Sequence, residues 1–210
     1  MSYREGDCEG DGGSSVAEAP AHPAAFRTSL SDPLRIDELA AGNTTGRIGL
    51  CLCPGKRAGS LTGLRWERDL AADLDVIGRW RAAAVLTLIE DHEFAELGVT
   101  QLGPQVRARG IEWHHLPIVD YRPPDARFEA GWALHGPALL AQLRAGGRIV
   151  VHCRGGLGRA GTVAARMLVE LDVPADQAIE RIRRLRPGAI ETREQKKYVF
   201  DLRASGSLRS

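Results

Sequence analysis

The stretch RIVVHCRGGLGRAGTVAARMLVE, residues 148–170, decides the fold. RIVVH is an apolar run rich in β-branched residues and bounded by turn signals, which predicts a buried strand. RGGLG is loop material, and RAGTVAARMLVE has the composition of a helix. A strand, a glycine-rich loop and a helix in direct succession put the loop at the carboxyl end of one element and the amino end of the next. That is where α/β folds bind anions. Gly155, Gly156 and Gly158 let successive backbone N–H groups turn inward as an anion nest, and the helix dipole favours negative charge there. Cys153 opens the loop, and a thiol in such surroundings is readily converted to the nucleophilic thiolate. Arg159 closes it with a planar fork able to grip two oxygens of a phosphoryl group. Nucleophile and clamp thus address one phosphorus, with Arg154, Gly155, Gly156, Leu157 and Gly158 as the backbone cradle. His152 is expected to orient the loop through a backbone hydrogen bond.

The Cys-x5-Arg spacing proves little by itself in a chain with 4 cysteines and 28 lysines and arginines. It occurs a second time as CLCPGKR, residues 51–57. There Pro54 removes an N–H from the loop and no helix follows. Cys51 and Cys53 are therefore read as small core residues of a strand; the alternative is a thiol that traps oxidised Cys153 as a disulfide.

Outward from this core the pattern alternates. GRIGLCLC and AAVLTLIE read as strands, and IEWHHLPI as another. Trp66, Leu70, Leu74 and Ile77 recur at helical spacing, predicting a helix over 65–80. Short helical or turn segments are expected in DHEFAELG and TQLGPQVRARG, and a long helix over 126–145. PADQAIERIRRLR is a helix with Pro174 in its first turn, and TREQKKYVFDLR is the last helix. Alternating strands and helices imply an α/β fold, a central, mostly parallel sheet with helices on both faces.

The 210 residues, 43% of them hydrophobic, are enough for one domain and a tail. Residues 1–30, rich in Gly, Ser, Ala and Pro, are expected to be a flexible tail, 31–204 the domain and 205–210 a short C-terminal tail. A net charge of +1 gives no global field toward nucleic acid or an anionic membrane. No apolar run has the length of a membrane span, and the first twenty residues carry acids and glycines where a signal peptide needs an apolar stretch. The expectation is a cytoplasmic monomer with free thiols, no metal and no cofactor.

HCRGGLGRAGT resembles the H-C-x5-R signature of the cysteine-dependent protein tyrosine and dual-specificity phosphatases. GRIGLCLCPGKR, HHLPIVDYRPPD and GAIETREQ extend the likeness over roughly residues 32–203. The resemblance implies the protein tyrosine phosphatase-like fold, a parallel sheet of about four strands with the Cys-x5-Arg phosphate loop between strand and helix. It also implies a cysteinyl-phosphate mechanism, with phosphotyrosine and phosphoserine or phosphothreonine in proteins as the substrate class. Cleavage of a phosphate ester needs a proton for the leaving oxygen, so a carboxyl group should close over Cys153. Asp120 matches the family's general acid; Asp125, behind two prolines, is the other candidate or else the N-cap of the next helix. GAIETREQ is similar to the segment that packs beside the loop in relatives. That makes Thr192 and Gln195 candidates for holding the loop or the attacking water, against Thr192 as a helix cap.

His114 and His115 are given structural roles, since no further metal ligands converge on them. RIRRLR is read as a solvated helix face. Where most relatives carry Ser or Thr after the loop arginine, this chain has Ala160, and Thr162 should point elsewhere. Two other readings follow: a phosphoinositide phosphatase, and a pseudophosphatase that binds phosphate without turnover.

Overall fold

The apolar run before Cys153 is the central strand of a five-stranded sheet. The computed structural model of the chain describes residues 26–59 and 65–206. In chain order the elements are β1 (Phe26–Thr28), β2 (Asp37–Ala40), β3 (Arg47–Cys51), β4 (Arg57–Gly59), β5 (Arg65–Glu67), α1 (Leu70–Arg79), β6 (Ala84–Thr87), α2 (Asp91–Glu96), α3 (Leu102–Ala108), β7 (Glu112–His115), α4 (Ala126–Arg144), β8 (Arg148–His152), α5 (Gly158–Glu170), α6 (Ala175–Leu185) and α7 (Arg193–Gly206). The main sheet has the order β2-β3-β8-β6-β7. β3, β8, β6 and β7 are parallel, and β2 lies antiparallel on the edge of β3. The register aligns Cys51, His152, Thr87 and His115 in one row at the carboxyl ends of the parallel strands.

Alternation along β8 sends its side chains to opposite faces, and both faces are covered. Ile149 and Val151 pack with Ile48, Leu50 and Leu86 under Phe128, Val163, Met167, Ile179 and Val199 of α4 to α7. Val150 packs with Val85 against Leu74, Ile77, Leu102 and Val106 of α1 and α3. Each such buried aliphatic side chain contributes roughly 1.5–3 kcal/mol of transfer free energy. A β8 that is buried from Ile149 to His152 explains why its sequence shows no polar alternation.

The helix expected over 65–80 begins instead at Leu70. Asp69 is its N-cap, its carboxylate accepting from the Ala72 amide at 2.7 Å, which fixes the first turn there. Arg65–Glu67 belong to β5 in a second, three-stranded sheet, β1-β5-β4, that the sequence pattern does not foretell. Trp66 is not a core residue of α1: it lies in β5 with Arg27, Lys56 and Arg68 stacked at 5.5–5.8 Å. Of the stretch 1–30, residues 26–30 are described, three of them as β1; residues 1–25 lie outside the described residues. Helix α7 runs to Gly206, and 207–210 are likewise outside. Pro174 stands at the N-cap of α6, one position before the helix. No helix of the described residues is long and apolar enough to cross a membrane.

Candidate active site

Cys153 leaves the end of β8 with 3% of its surface exposed, and the backbone turns through Arg154–Leu157 into α5. Gly156 makes the turn at φ +72°, and a Cβ there would stand 2.3 Å from the Cys51 carbonyl oxygen, so conformation and space both demand glycine. The neighbouring strand end supports the loop further, the Cys53 amide donating to the Arg154 carbonyl at 3.4 Å. From the other side Arg186 donates to Gly155 O at 3.2 Å while its Nη1 reaches Asp37 Oδ2 at 2.8 Å. Arg186 is the last residue of RIRRLR, so the reading of that cluster as a solvated face needs correction. Arg183 also turns inward to the Ala189 and Ile190 carbonyls, because the chain doubles back after α6 and brings these carbonyls beside it. Arg184 alone pairs on the surface, with Glu180.

Arg159, on the first turn of α5, is 1% exposed. Its Nη2 donates to Glu93 Oε1 at 3.0 Å, its Nη1 meets Glu93 Oε2 and donates to the Ile118 carbonyl at 3.1 Å. Nη2 also lies 3.0 Å from Asp120 Oδ1, whereas the buried Nε has no partner among the described residues. Burial alone would push the guanidinium toward losing its proton; the Glu93 hydrogen bonds and the nearby acids more than reverse this, and its pKa is raised.

Glu93 is the residue that sequence reasoning missed. It is N3 of α2 in a capping box, Oε2 accepting from the Glu90 amide at 2.8 Å. Burial pushes its carboxyl up, but Arg159, the Glu90 amide and Arg154 together hold it below the ordinary glutamate value. Burial and then Arg154 lower the pKa of Lys56, against the opposite pull of Cys53, Cys153 and Asp120.

Asp120 and Asp125 separate cleanly. Asp120 stands on the loop after β7, 42% exposed, beside Arg159, with Oδ1 accepting from the Tyr121 amide at 3.1 Å. Asp125 is committed as the N-cap of α4, accepting from Phe128 N at 3.0 Å. His152 is fully buried, its Nε2 2.8 Å from Thr87 Oγ1, which itself accepts from Trp113 Nε1 at 2.9 Å. Burial pushes the ring down to about 4, against a smaller opposing contribution of the Cys153 backbone, so it is neutral at pH 7. Thr192 Oγ1 accepts from Gln195 N at 3.1 Å at the start of α7, and Gln195 Nε2 donates to the Arg122 carbonyl at 3.2 Å. Thr192 is thus the cap of α7, and of the two it is Gln195 that reaches the loop carrying Asp120. Thr162 returns its hydroxyl to Gly158 O at 2.7 Å and does not face Cys153.

Cys51 and Cys53 are fully buried in the core under α1, and burial pushes both thiols well up. His115 bonds to the Ile89 carbonyl at 2.8 Å and His114 lies 3.3 Å from Glu112. The described residues hold no group of three or more His, Cys, Asp and Glu side chains arranged to take a metal.

Residues 69–199 match the model of a DSP-PTPase phosphatase domain described as a Swiss Army Knife protein. The chain belongs to the dual-specificity and protein tyrosine phosphatase family. It is 29% identical over 176 residues to human cyclin-dependent kinase inhibitor 3, covering 81% of this chain and 79% of the relative. Pig cyclin-dependent kinase inhibitor 3 is 30% identical over 168 residues, 79% of this chain and 76% of the relative. The crystal structure of kinase associated phosphatase, with its catalytic-site cysteine changed to serine, superposes with a TM-score of 0.73 at 28% identity over 85% of this chain and 98% of that one. Such phosphatases are cysteine-based, and the fold that the sequence implied is the family's fold.

Proposed function

We propose that this protein is a working, metal-independent phosphatase of phosphorylated proteins, a cytoplasmic monomer acting on phosphotyrosine and on phosphoserine or phosphothreonine. The observation that carries the reading is the convergence of Cys153, Arg159 and Asp120. The loop after β8 offers the thiol, the arginine held by Glu93 offers the unpartnered Nε toward an anion, and the acid stands 3.0 Å from the same guanidinium.

In the first step the Cys153 thiolate attacks phosphorus and the P–O bond to the leaving group breaks. Arg159 and the Arg154–Gly158 amides stabilise the equatorial oxygens, and Asp120 gives its proton to the leaving oxygen. Asp120, now a carboxylate, takes a proton from water as water attacks the cysteinyl phosphate, releasing phosphate and the thiolate. Neutral His152, fixed by Thr87, keeps the strand end and loop in place. Gln195 positions the Asp120 loop from α7, whose start Thr192 caps.

A screen over phosphotyrosine peptides, phosphothreonine peptides and phosphoinositides, with EDTA present, tests the reading. Phosphate release from peptides, abolished by Cys153→Ser and strongly reduced by Arg159→Lys, is the expected result. Release from phosphoinositides alone would replace the substrate class. Activity abolished by chelation and restored by zinc would remove the mechanism.

A further inference from the structure

The segment before α7 delivers a carboxylate that the two chemical steps leave unused. Its backbone is pinned: Ile190 N donates to the Leu157 carbonyl at 3.4 Å, and the Glu191 amide donates to Gln195 Oε1 at 2.9 Å. The Glu191 side chain then reaches across the loop. Its Oε2 stands 2.2 Å from the point a Cβ on Gly158 would occupy, with the Gln195 amide atoms 3.1 Å from the same point. A side chain at Gly158 would have to displace the Glu191 carboxylate, which therefore lies directly against the loop.

The groups acting on this carboxylate come from three elements. The Gly158 amide and Arg159 belong to α5, and Asp120 to the loop after β7; Gln195 of α7 is neutral. Burial pushes the Glu191 carboxyl up, the Gly158 amide and Arg159 pull it down, and Asp120 adds to the rise, leaving it above its ordinary value.

We propose that Glu191 is an internal competitor for the anion loop: in the ligand-free protein its carboxylate lies against Gly158, whose amide belongs to that loop, and an entering phosphoryl group must expel it or meet it protonated. The inference rests on the phosphatase reading of the loop. One N–H cannot serve two anions at full strength, and a carboxylate left beside a phosphate dianion repels it. Phosphate binding is thereby coupled to uptake of a proton or to rotation of Glu191 into solvent. The residue sets which ionisation state of the site accepts substrate, and it acts on binding ahead of either bond-breaking step.

Cys153→Ser protein, which cannot turn over, allows binding to be measured alone by calorimetric titration with inorganic phosphate from pH 5.5 to 8. Glu191→Gln keeps the shape and removes the charge. At pH 7.5 this change should tighten phosphate binding about tenfold, the scale of one unit charge a few ångströms away in a half-exposed site. The advantage should shrink as pH falls, because the raised parent carboxyl is protonated earlier than an ordinary glutamate; taking the ratio of the two proteins at each pH cancels the ionisation of phosphate itself. Glu191→Ala should also tighten binding, whereas a packing role would weaken it. Affinities within twofold of each other at every pH, with phosphate bound by both proteins, would overturn the proposal. Failure of Cys153→Ser protein to bind phosphate at any pH would overturn the reading of the loop, and this inference with it.

Discussion

Replacing Glu93 by Gln tests what holds the arginine of the site. Both partners are out of solvent, Arg159 at 1% and Glu93 at 3% side-chain exposure. The change keeps the volume and one acceptor but leaves the guanidinium buried with only the half-exposed Asp120 carboxylate beside it. Breaking one side of a buried pair destabilises by about 3–5 kcal/mol, and the retained acceptor puts this case near 3. In a domain of this size that is a fall in melting temperature of roughly 6–12 °C, read by scanning calorimetry. Activity should fall further than stability explains. An arginine free to turn away removes a preorganised donor, about 10²–10³-fold in kcat on an aryl phosphate. Saturating phosphate, whose charge replaces the missing carboxylate, should raise the melting temperature of the variant more than that of the parent. Glu93→Gln protein with parental melting temperature and kcat within threefold would refute the claim that this pair positions Arg159.

Asp120→Ala should slow turnover by roughly 10²–10⁴-fold and flatten the acidic limb of the pH–rate profile. Asp125→Ala should instead leave the profile unchanged and lower stability by about 1 kcal/mol, the loss of a helix cap. If the two variants rank the other way in kcat, the general acid is Asp125. His152, with its ring pushed from 6.5 to about 4, takes up a proton more readily when unfolded. Stability should therefore fall as pH drops from about 6.5 toward 4, by an amount on the order of 3 kcal/mol, and His152→Gln should lack that slope in pH-dependent melting. Ala160, fully buried beside the loop, offers no hydroxyl to the departing thiolate. Rapid mixing with p-nitrophenyl phosphate should show a burst near one equivalent, and Ala160→Ser should shrink it while raising steady turnover, by about 10- to 150-fold at most.

The elements legible in the sequence were those whose own residues determine them. The strand, loop and helix over 148–170 could be read because burial on both faces, glycine at the turn and the helix start are local signals. Asp125 could be weighed as a cap for the same reason. Less visible was what depends on distant partners. DHEFAELG reads as a short helical or turn segment, but nothing in it says that Glu93 meets an arginine 66 positions later. Trp66 falls on the apolar spacing of α1, and only the pairing of Arg65–Glu67 with Phe26–Thr28 and Arg57–Gly59 shows that it is in a strand. Arg186 looks like its surface neighbours until the carbonyls at Leu50 and Gly155 are seen beneath it.

The order of the sheet has a consequence for synthesis. β2 and β3 are consecutive and pair directly, as are β6 and β7, so two half-sheets can form while the chain is still being made. β8 pairs with β3 on one side and β6 on the other, and it comes after all four. At ~5–20 residues per second the stretch from Thr87 to Arg148 takes roughly 3–12 s to emerge. Through that interval the buried edges of β3 and β6 have no partner. The strand that joins the halves carries Cys153 at its end, and α5 with Arg159 follows it, so the phosphate loop can be completed only after β8 and then α5 have been made.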